Sequence, residues 1–166
     1  MPISDYLRRL REKLGPDLLL MPSVTGVVFD DGGRLLMVEH ADRDLWVLPG
    51  GAIDPGETPA DALVREMWEE TGLHVRPLAI RGVFTGPEFL VRYGNGDEVI
   101  YVMTVFECAV LGGHPRPDGV ETLDVRYFSE AEATALHTPP WACVVLPSLF
   151  SRTGPGFTPP TWTPPA

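Results

Sequence analysis

Three glutamates, Glu66, Glu69 and Glu70, stand at positions i, i+3 and i+4 of a helical pattern in this 166-residue chain. Side chains at this spacing project from the same side of a helix, and three carboxylates held so close together repel one another. A hard divalent cation relieves that repulsion, and Mg²⁺ prefers carboxylate and water oxygens as ligands. The cluster therefore predicts a site for one or more Mg²⁺ or Mn²⁺ ions. A solvated acidic helix face explains the same three residues when they are taken alone.

The flanking residues favour the metal site over the solvated face. Gly50 and Gly51 precede the helix, and glycine lets the backbone come close to a metal or a phosphate. Glu57 and Arg65 can form an ion pair that ties this approach to the helix and orients Glu66, which is next in sequence. We therefore expect a loop and a helix that together present carboxylates to a cation.

The helix that carries the glutamates has clear ends. Thr58 is a favourable N-cap, Pro59 suits the first helical position, and Gly72 is a favourable stop. A mostly apolar stripe at helical spacing predicts the face that packs inward. Its members are Ala60, Leu63, Val64, Met67 and Thr71.

The segment from Gly51 to Leu73 resembles the Nudix box. That motif is glycine, five residues, glutamate, seven residues, Arg-Glu, an apolar residue, any residue, Glu-Glu, any residue, glycine and an apolar residue. Its slots are filled here without a gap by Gly51, Glu57, Arg65, Glu66, Met67, Glu69, Glu70, Gly72 and Leu73. The preceding residues 46–50 and the later order of strands and helices extend the resemblance from about Leu18 to His137.

The resemblance, which leaves out the N-terminal helix and the tail, implies the fold, and the sequence itself predicts the domain organisation. We expect an α/β (α+β) protein, a Nudix-type α/β/α sandwich with a mixed, mainly antiparallel sheet. Residues 1–152 would form a single domain with an N-terminal helix at about residues 4–14 appended. Residues 153–166 are rich in proline and predict a flexible tail. The apolar segment 141–150 predicts a last helix interrupted near Pro147.

The resemblance also implies the chemistry. Glu66, Glu69, Glu70 and the backbone carbonyl of Gly50 would hold Mg²⁺ (or Mn²⁺), while Gly51, Glu57, Arg65 and Gly72 would shape the box. Water would attack a phosphorus of a diphosphate bridge after a carboxylate removes its proton.

The identity of that general base stays open between Glu66 and a carboxylate of another loop. Glu121, after the loop 116–120, is the candidate for the second role, although a surface glutamate at a strand edge explains it equally well. Asp97 and Glu98 are weaker candidates, because a hairpin turn already explains them.

The substrate predicted by the resemblance is a nucleoside diphosphate linked to another moiety, ADP-ribose-like or a dinucleoside polyphosphate. The alternatives are a (deoxy)nucleoside triphosphate pyrophosphohydrolase and a non-catalytic nucleotide-binding domain. The sequence singles out no substrate-binding residue. Aromatic candidates for stacking on a base are Phe84, Phe89, Tyr93 and Tyr101, and candidates for phosphate contact are Arg34, Arg43, Arg81 and Arg92.

Composition sets the outer limits of function. The net charge of −10 argues against sequence-independent binding of nucleic acid, which needs a basic surface. The apolar run 18–29 is too short to span a bilayer, and we expect a cytoplasmic enzyme that binds a small nucleotide-like molecule and no membrane. Cys108 and Cys143 lie in apolar runs and predict buried, reduced thiols. The resemblance leaves monomer and homodimer open.

Overall fold

The structure is a computed structural model that describes residues 5–41, 44–151 and 154–160. The predicted helix start at residue 4 and the candidate Arg43 lie outside these ranges. The helices are α1 (Asp5–Leu14), α2 (Pro59–Thr71), α3 (Glu130–Ala135) and α4 (Ala142–Phe150), with a 3₁₀ turn at Pro87–Phe89. The strands are β1 (Leu19–Val27), β2 (Leu35–His40), β3 (Leu45–Val47), β4 (Gly50–Ala52), β5 (Leu73–Phe84), β6 (Leu90–Arg92), β7 (Glu98–Gly113) and β8 (Thr122–Phe128).

The strands form two sheets. The five-stranded sheet has the order β4-β1-β7-β5, and β6 pairs with β7 beside it. In this sheet β1 and β7 are parallel, whereas all the other pairings are antiparallel. The second sheet is antiparallel, with the order β3-β2-β8. The mixed, mainly antiparallel arrangement predicted from the sequence is confirmed.

Helices cover both faces of the sheets. Successive strand residues point to opposite sides, so a strand can contribute side chains to a core on each of its faces. On one side, Leu63 and Met67 of α2 pack against Val24 of β1 and Phe106 of β7. On the other side, side chains of α4 share a core with Val27, which points to the opposite face of β1 from Val24. The α/β/α sandwich therefore has two apolar layers, one on each side of the strands.

Helix α2 begins and ends where the sequence predicts. The Thr58 hydroxyl accepts a hydrogen bond from the Asp61 amide, and Gly72 closes the helix in the left-handed conformation with φ of 68°. The inward face differs from the predicted stripe by one position, because Ala62 is fully buried and Ala60 is exposed. This rotation turns the buried face toward Glu66.

The C-terminal helix differs from the prediction in two ways. Helix α4 runs through Pro147 without interruption. A proline removes one backbone donor, and here the packing of the apolar face compensates, since Val145, Leu146 and Leu149 are buried. Cys143 faces solvent on the outer side of the same helix, so the prediction that both thiols are buried is wrong for Cys143. Cys108 is buried, because it belongs to the apolar core beneath α2.

The N-terminal helix lies against its own domain. Arg11 donates to the carbonyls of Asp17 and Glu98, at 2.7 and 2.8 Å, and pairs with Asp97 at 3.3 Å. These contacts hold α1 beside the turn between β6 and β7. Among the described residues, no helix has both the length and the apolar character needed to cross a bilayer.

The described part of the proline-rich tail touches β5. The Gly156 amide donates to the Arg81 carbonyl at 2.8 Å, and the Gly156 carbonyl accepts from the Val83 amide at 3.2 Å. Gly156 thereby forms an isolated parallel bridge with Gly82, at a register shift of the edge strand. The segment 154–160 is thus hydrogen-bonded to the domain at this point, and the flexibility predicted for residues 153–166 stays a prediction.

Candidate metal and active site

Helix α2 buries two of its three clustered glutamates. Glu66 is 2% exposed and Glu70 is 5% exposed, one helical turn apart, whereas the Glu69 side chain is 55% exposed. Burial of a carboxylate is costly unless hydrogen bonds or a cation compensate for the lost water. The surroundings of Glu66 and Glu70 therefore decide what the cluster can do.

Strand β4 closes over these two carboxyl groups. The Gly50 amide donates to Glu70 Oε2 at 2.7 Å. A Cβ atom on Gly51 would lie 2.4 Å from Glu66 Oε1, so a side chain at this position would have to displace the Glu66 carboxyl group. The glycines that precede the helix thus bring the backbone of β4 directly against the buried carboxyl groups.

Arg65 connects the loop before α2 to the cluster. It pairs with Glu57 through Nε at 2.7 Å and through Nη2 at 2.9 Å. Its Nη1 donates to Glu66 Oε1 at 2.7 Å and to Glu69 Oε2 at 3.2 Å, and Nη2 also reaches the Ala52 carbonyl at 3.2 Å. The guanidinium fork therefore holds the loop, β4 and two glutamates in one network.

The electrostatics of the cluster favour proton uptake by its buried members. Burial raises the pKa of Glu66 to about 7, against the lowering by the Arg65 hydrogen bond. Burial and the charge on Glu66 raise the pKa of Glu70 well above its usual value, although the Gly50 amide opposes this. By contrast, Arg65 lowers the pKa of Glu57. The carboxylates of Glu66 and Glu70 are thus surrounded by less positive charge than would keep their pKa values at the usual level.

A loop before β8 brings a fourth carboxylate to the cluster. The Thr122 hydroxyl donates to the Glu70 carbonyl at 3.0 Å, and Asp118 Oδ1 accepts from the amides of Glu121 and Thr122, both at 2.9 Å. The charge on Glu121 contributes to the raised pKa values of Glu66 and Glu70. Burial in turn raises the pKa of Glu121, and Asp118 and Glu69 add to this.

The carboxylate oxygens of the cluster are the kind of donor that a magnesium ion prefers. Glu66 uses Oε1 for Arg65 and Glu70 uses Oε2 for Gly50, so neither bond occupies the second oxygen of its carboxyl group. In the described part of the chain, no three acidic, histidine or cysteine side chains are already arranged around a common point for a metal. The Arg65–Glu69 contact is an exposed i, i+4 pair worth ~0.3–0.5 kcal/mol, so a divalent ion can displace it.

In the structure, the aromatic and arginine residues named as candidates for substrate binding make other contacts. Phe84 and Phe89 are buried in the α4 core and stack with ring centroids 6.4 Å apart. The hydroxyl groups of the half-buried Tyr93 and Tyr101 are hydrogen-bonded to each other at 2.7 Å. The described arginine candidates all have carboxylate partners: Asp30 for Arg34, Glu107 for Arg81 and Glu98 for Arg92. The weaker base candidates Asp97 and Glu98 are likewise paired, with Arg11 and Arg92.

Two residues beside the cluster were missed by the sequence analysis. Trp68, in a variable slot of the box, is 50% exposed, and the Arg116 guanidinium lies 5.9 Å from the centroid of its ring. The sequence contained one usable signal for Trp68, since it falls outside the apolar stripe of an otherwise amphipathic helix. Nothing local to Arg116 indicates that it lies over α2.

Comparison with known proteins agrees with this fold. The family description that matches, over residues 19–147, is that of the NUDIX domain. A MutT-like protein of Streptomyces ambofaciens is 38% identical over 117 residues, 70% of this chain and 69% of that protein. A putative 8-oxo-dGTP diphosphatase of Bacillus subtilis is 36% identical over 103 residues, 62% of each chain, so the match covers about two thirds of the length of these two relatives.

Solved structures share the fold. The crystal structure of an ADP-ribose pyrophosphatase of Streptococcus suis superposes with a TM-score of 0.64 over 83% of this chain and 98% of its own, at 24% sequence identity. Fold, box and relatives together define a hydrolase of nucleotide-like diphosphates. The chain belongs to the Nudix hydrolase family.

The buried glutamates predict a stability that depends on both pH and metal. Because the folded-state pKa of Glu66 is raised to about 7, the folded protein binds a proton more tightly than the unfolded chain does. This contribution is fully present below the unfolded pKa and is lost as pH rises through about 7. We expect the metal-free melting temperature to fall by several °C between pH 5.5 and 8, and Mg²⁺ to restore more stability at pH 8, in differential scanning fluorimetry.

The matched variants for this experiment are Glu66→Gln and Glu88→Gln. Glu66→Gln removes a titrating group, so the metal-free melting temperature should depend less on pH and Mg²⁺ should stabilise less. Glu88→Gln changes an exposed glutamate outside the cluster and should behave as the wild type. A Mg²⁺ effect that is equal at both pH values, or intact in Glu66→Gln, contradicts the assignment of Glu66 to the metal site.

The Arg65 network predicts that charge alone cannot replace the guanidinium fork. Arg65→Lys keeps one positive charge but cannot bond Glu57, Glu66 and the Ala52 carbonyl at once. We expect a loss of about 10- to 100-fold in apparent Mg²⁺ affinity, the usual effect of losing a residue that orients a metal ligand. Arg34→Lys, which alters the Arg34–Asp30 pair far from the cluster, is the control, and an equally small effect in both variants would refute the prediction.

Proposed function

We propose that this chain hydrolyses a diphosphate linkage in a nucleoside diphosphate joined to another moiety, with Mg²⁺ held by Glu66, Glu69 and Glu70. The observation that carries the proposal is the burial of Glu66 and Glu70 beneath β4, with raised pKa values and too few cationic partners. A purely solvated acidic face would leave these carboxylates in water. A bound Mg²⁺ would supply the missing positive charge opposite the diphosphate oxygens and make the attacking water more acidic.

The chain's own groups would then divide the remaining work. Arg65 keeps Glu66 oriented, and the Gly50 amide keeps Glu70 oriented, so both carboxyl groups are fixed before substrate binds. Such fixed groups need little rearrangement in the transition state, which is the main source of electrostatic catalysis. The carbonyl of Gly50 remains our candidate for a further oxygen ligand.

Glu121 is the proposed general base. Its pKa is raised, which moves a carboxylate toward the value at which it accepts a proton well near neutral pH. The hydrogen bonds from Thr122 to the Glu70 carbonyl and from the loop amides to Asp118 hold Glu121 on the side of the cluster. Glu66 remains the alternative base, because its pKa is raised as well.

A second substrate class has support from one relative. The Bacillus subtilis relative that is 36% identical bears the name of a putative 8-oxo-dGTP diphosphatase, which acts on a nucleoside triphosphate. The (deoxy)nucleoside triphosphate alternative therefore belongs in the same experiment. ADP-ribose, the substrate in the name of the Streptococcus suis structure, represents the first class.

Product analysis by mass spectrometry against a substrate panel tests this function. The panel contains ADP-ribose, dinucleoside polyphosphates, nucleotide sugars and (deoxy)nucleoside triphosphates, each with Mg²⁺. We expect cleavage at a diphosphate bridge, and Glu70→Gln should reduce kcat at least ~10²–10³-fold, because it removes a charged group from the transition-state site. Glu88→Gln is the control; turnover by Glu70→Gln at the wild-type rate would refute the metal assignment.

The two candidates for the base make different predictions for Glu121→Gln. If Glu121 is the base, kcat should fall ~10²–10⁴-fold, the typical contribution of general base catalysis, while the stabilisation by Mg²⁺ is kept. Thr122→Val, which removes the hydroxyl bond to the Glu70 carbonyl, should give a smaller fall in kcat because it only shifts the loop. If kcat of Glu121→Gln stays within twofold of wild type, Glu121 is not the base and the proposal passes to Glu66.

A further inference from the structure

A cavity adjoins the carboxylate cluster at the C-terminal end of α2. Its volume is about 270 Å³, close to the lower end of the range for small-molecule sites, ~300 Å³. Glu69 belongs both to its wall and to the cluster, and Asp118, also in its wall, contributes to the raised pKa of Glu70. The remaining lining residues are Trp68, Gly72, Arg116 and Pro117.

Trp68 gives this cavity a surface suited to an aromatic ring. Its side chain is 50% exposed and belongs to neither apolar core. Indole offers a large flat face at small cost in conformational freedom, and nucleobases stack on such faces whatever their sequence. An exposed tryptophan on the helix that carries the metal site is therefore a candidate platform for part of the substrate.

Arg116 adds a fixed positive charge. Its backbone amide donates to the Thr71 carbonyl at 2.9 Å, and its stem packs on Gly72, where a Cβ would lie 2.6 Å from Arg116 Cγ. Among the described residues, no carboxylate pairs with this guanidinium, in contrast to those of Arg34, Arg81 and Arg92. Its charge is thus available to a phosphate of a bound molecule.

We propose that the Trp68–Arg116 cavity binds the second nucleobase of a substrate in which a phosphate chain joins two nucleosides. The base stacks on the face of the Trp68 ring that the Arg116 guanidinium leaves open, and Arg116 pairs with a phosphate of the chain. This inference rests on the proposed function, since the chain must pass the carboxylate cluster to reach the cavity. Within the first substrate class it favours a dinucleoside polyphosphate over ADP-ribose, which carries only one base.

A structural role for the same pair makes a different prediction. An arginine near a helix C-terminus interacts favourably with the helix dipole, and its contact with Trp68 can pack the loop onto α2. That role would change stability and act on all substrates alike. The second-base site instead changes KM for two-base substrates only, so a comparison of substrates separates the two.

The experiment measures kcat and KM of the full chain with Mg²⁺ for diadenosine tetraphosphate and for ATP. Trp68→Leu should raise KM for diadenosine tetraphosphate about 5- to 150-fold, the range expected for loss of one stacked base, and leave KM for ATP within twofold. Trp68→Phe should restore most of the affinity. Arg116→Gln should also raise KM for diadenosine tetraphosphate, whereas Arg9→Gln, an exposed arginine on α1, should not.

Other outcomes overturn the inference in distinguishable ways. Equal changes for both substrates, or none, reject the second-base site while the proposed function stands. Cleavage of ATP but not of diadenosine tetraphosphate by the wild type also rejects it. A Trp68-dependent preference for a 5′-triphosphorylated RNA oligonucleotide would assign the cavity to an RNA end instead. If the wild type cleaves no diphosphate in the panel, the proposed function fails and the inference with it.

Discussion

The burial of two carboxylates one helical turn apart, beneath strand β4, is the constraint on which the site depends. Glu66 and Glu70 lie in the contact between α2 and the five-stranded sheet, where leucine or methionine would give a better core. Unpaired buried charges are costly, and here one arginine and one backbone amide compensate only in part. The protein thus keeps a local deficit of positive charge that a proton or a metal ion can relieve.

Several neighbouring residues follow from that constraint. Position 51 favours glycine because the Glu66 carboxyl group occupies the space of a Cβ. Position 65 favours arginine because its guanidinium fork joins Glu57, Glu66 and β4 at once. These requirements act through contacts within one loop and one helix, and they are therefore visible as fixed spacings in the sequence.

Features that depend on contacts between residues near one another in the chain could be predicted from the sequence, and these include most of the fold and the box. Predictions from the sequence were wrong where the contacts join distant parts of the chain. The caps at Thr58 and Gly72, the turns and the inward Met67 depend on neighbours within a few residues. The continuity of α4 through Pro147 depends instead on packing against distant strands, as does the burial of Phe84 and Phe89 away from any substrate. The bridge between Gly156 and Gly82 joins segments that no local pattern connects.

The same distinction explains why substrate choice was hard to predict from the box. The loop 114–122 is fastened to α2 by the Arg116 amide at Thr71 and the Thr122 hydroxyl at Glu70, so it places its side chains relative to the glutamates without belonging to their motif. Relatives that share the fold bear the names of enzymes for different nucleotides. Main-chain and hydroxyl bonds fix the position of the loop, so its side chains are not needed to hold it beside the box. Under our proposals, Arg116 would contact the substrate and Glu121 would accept the proton.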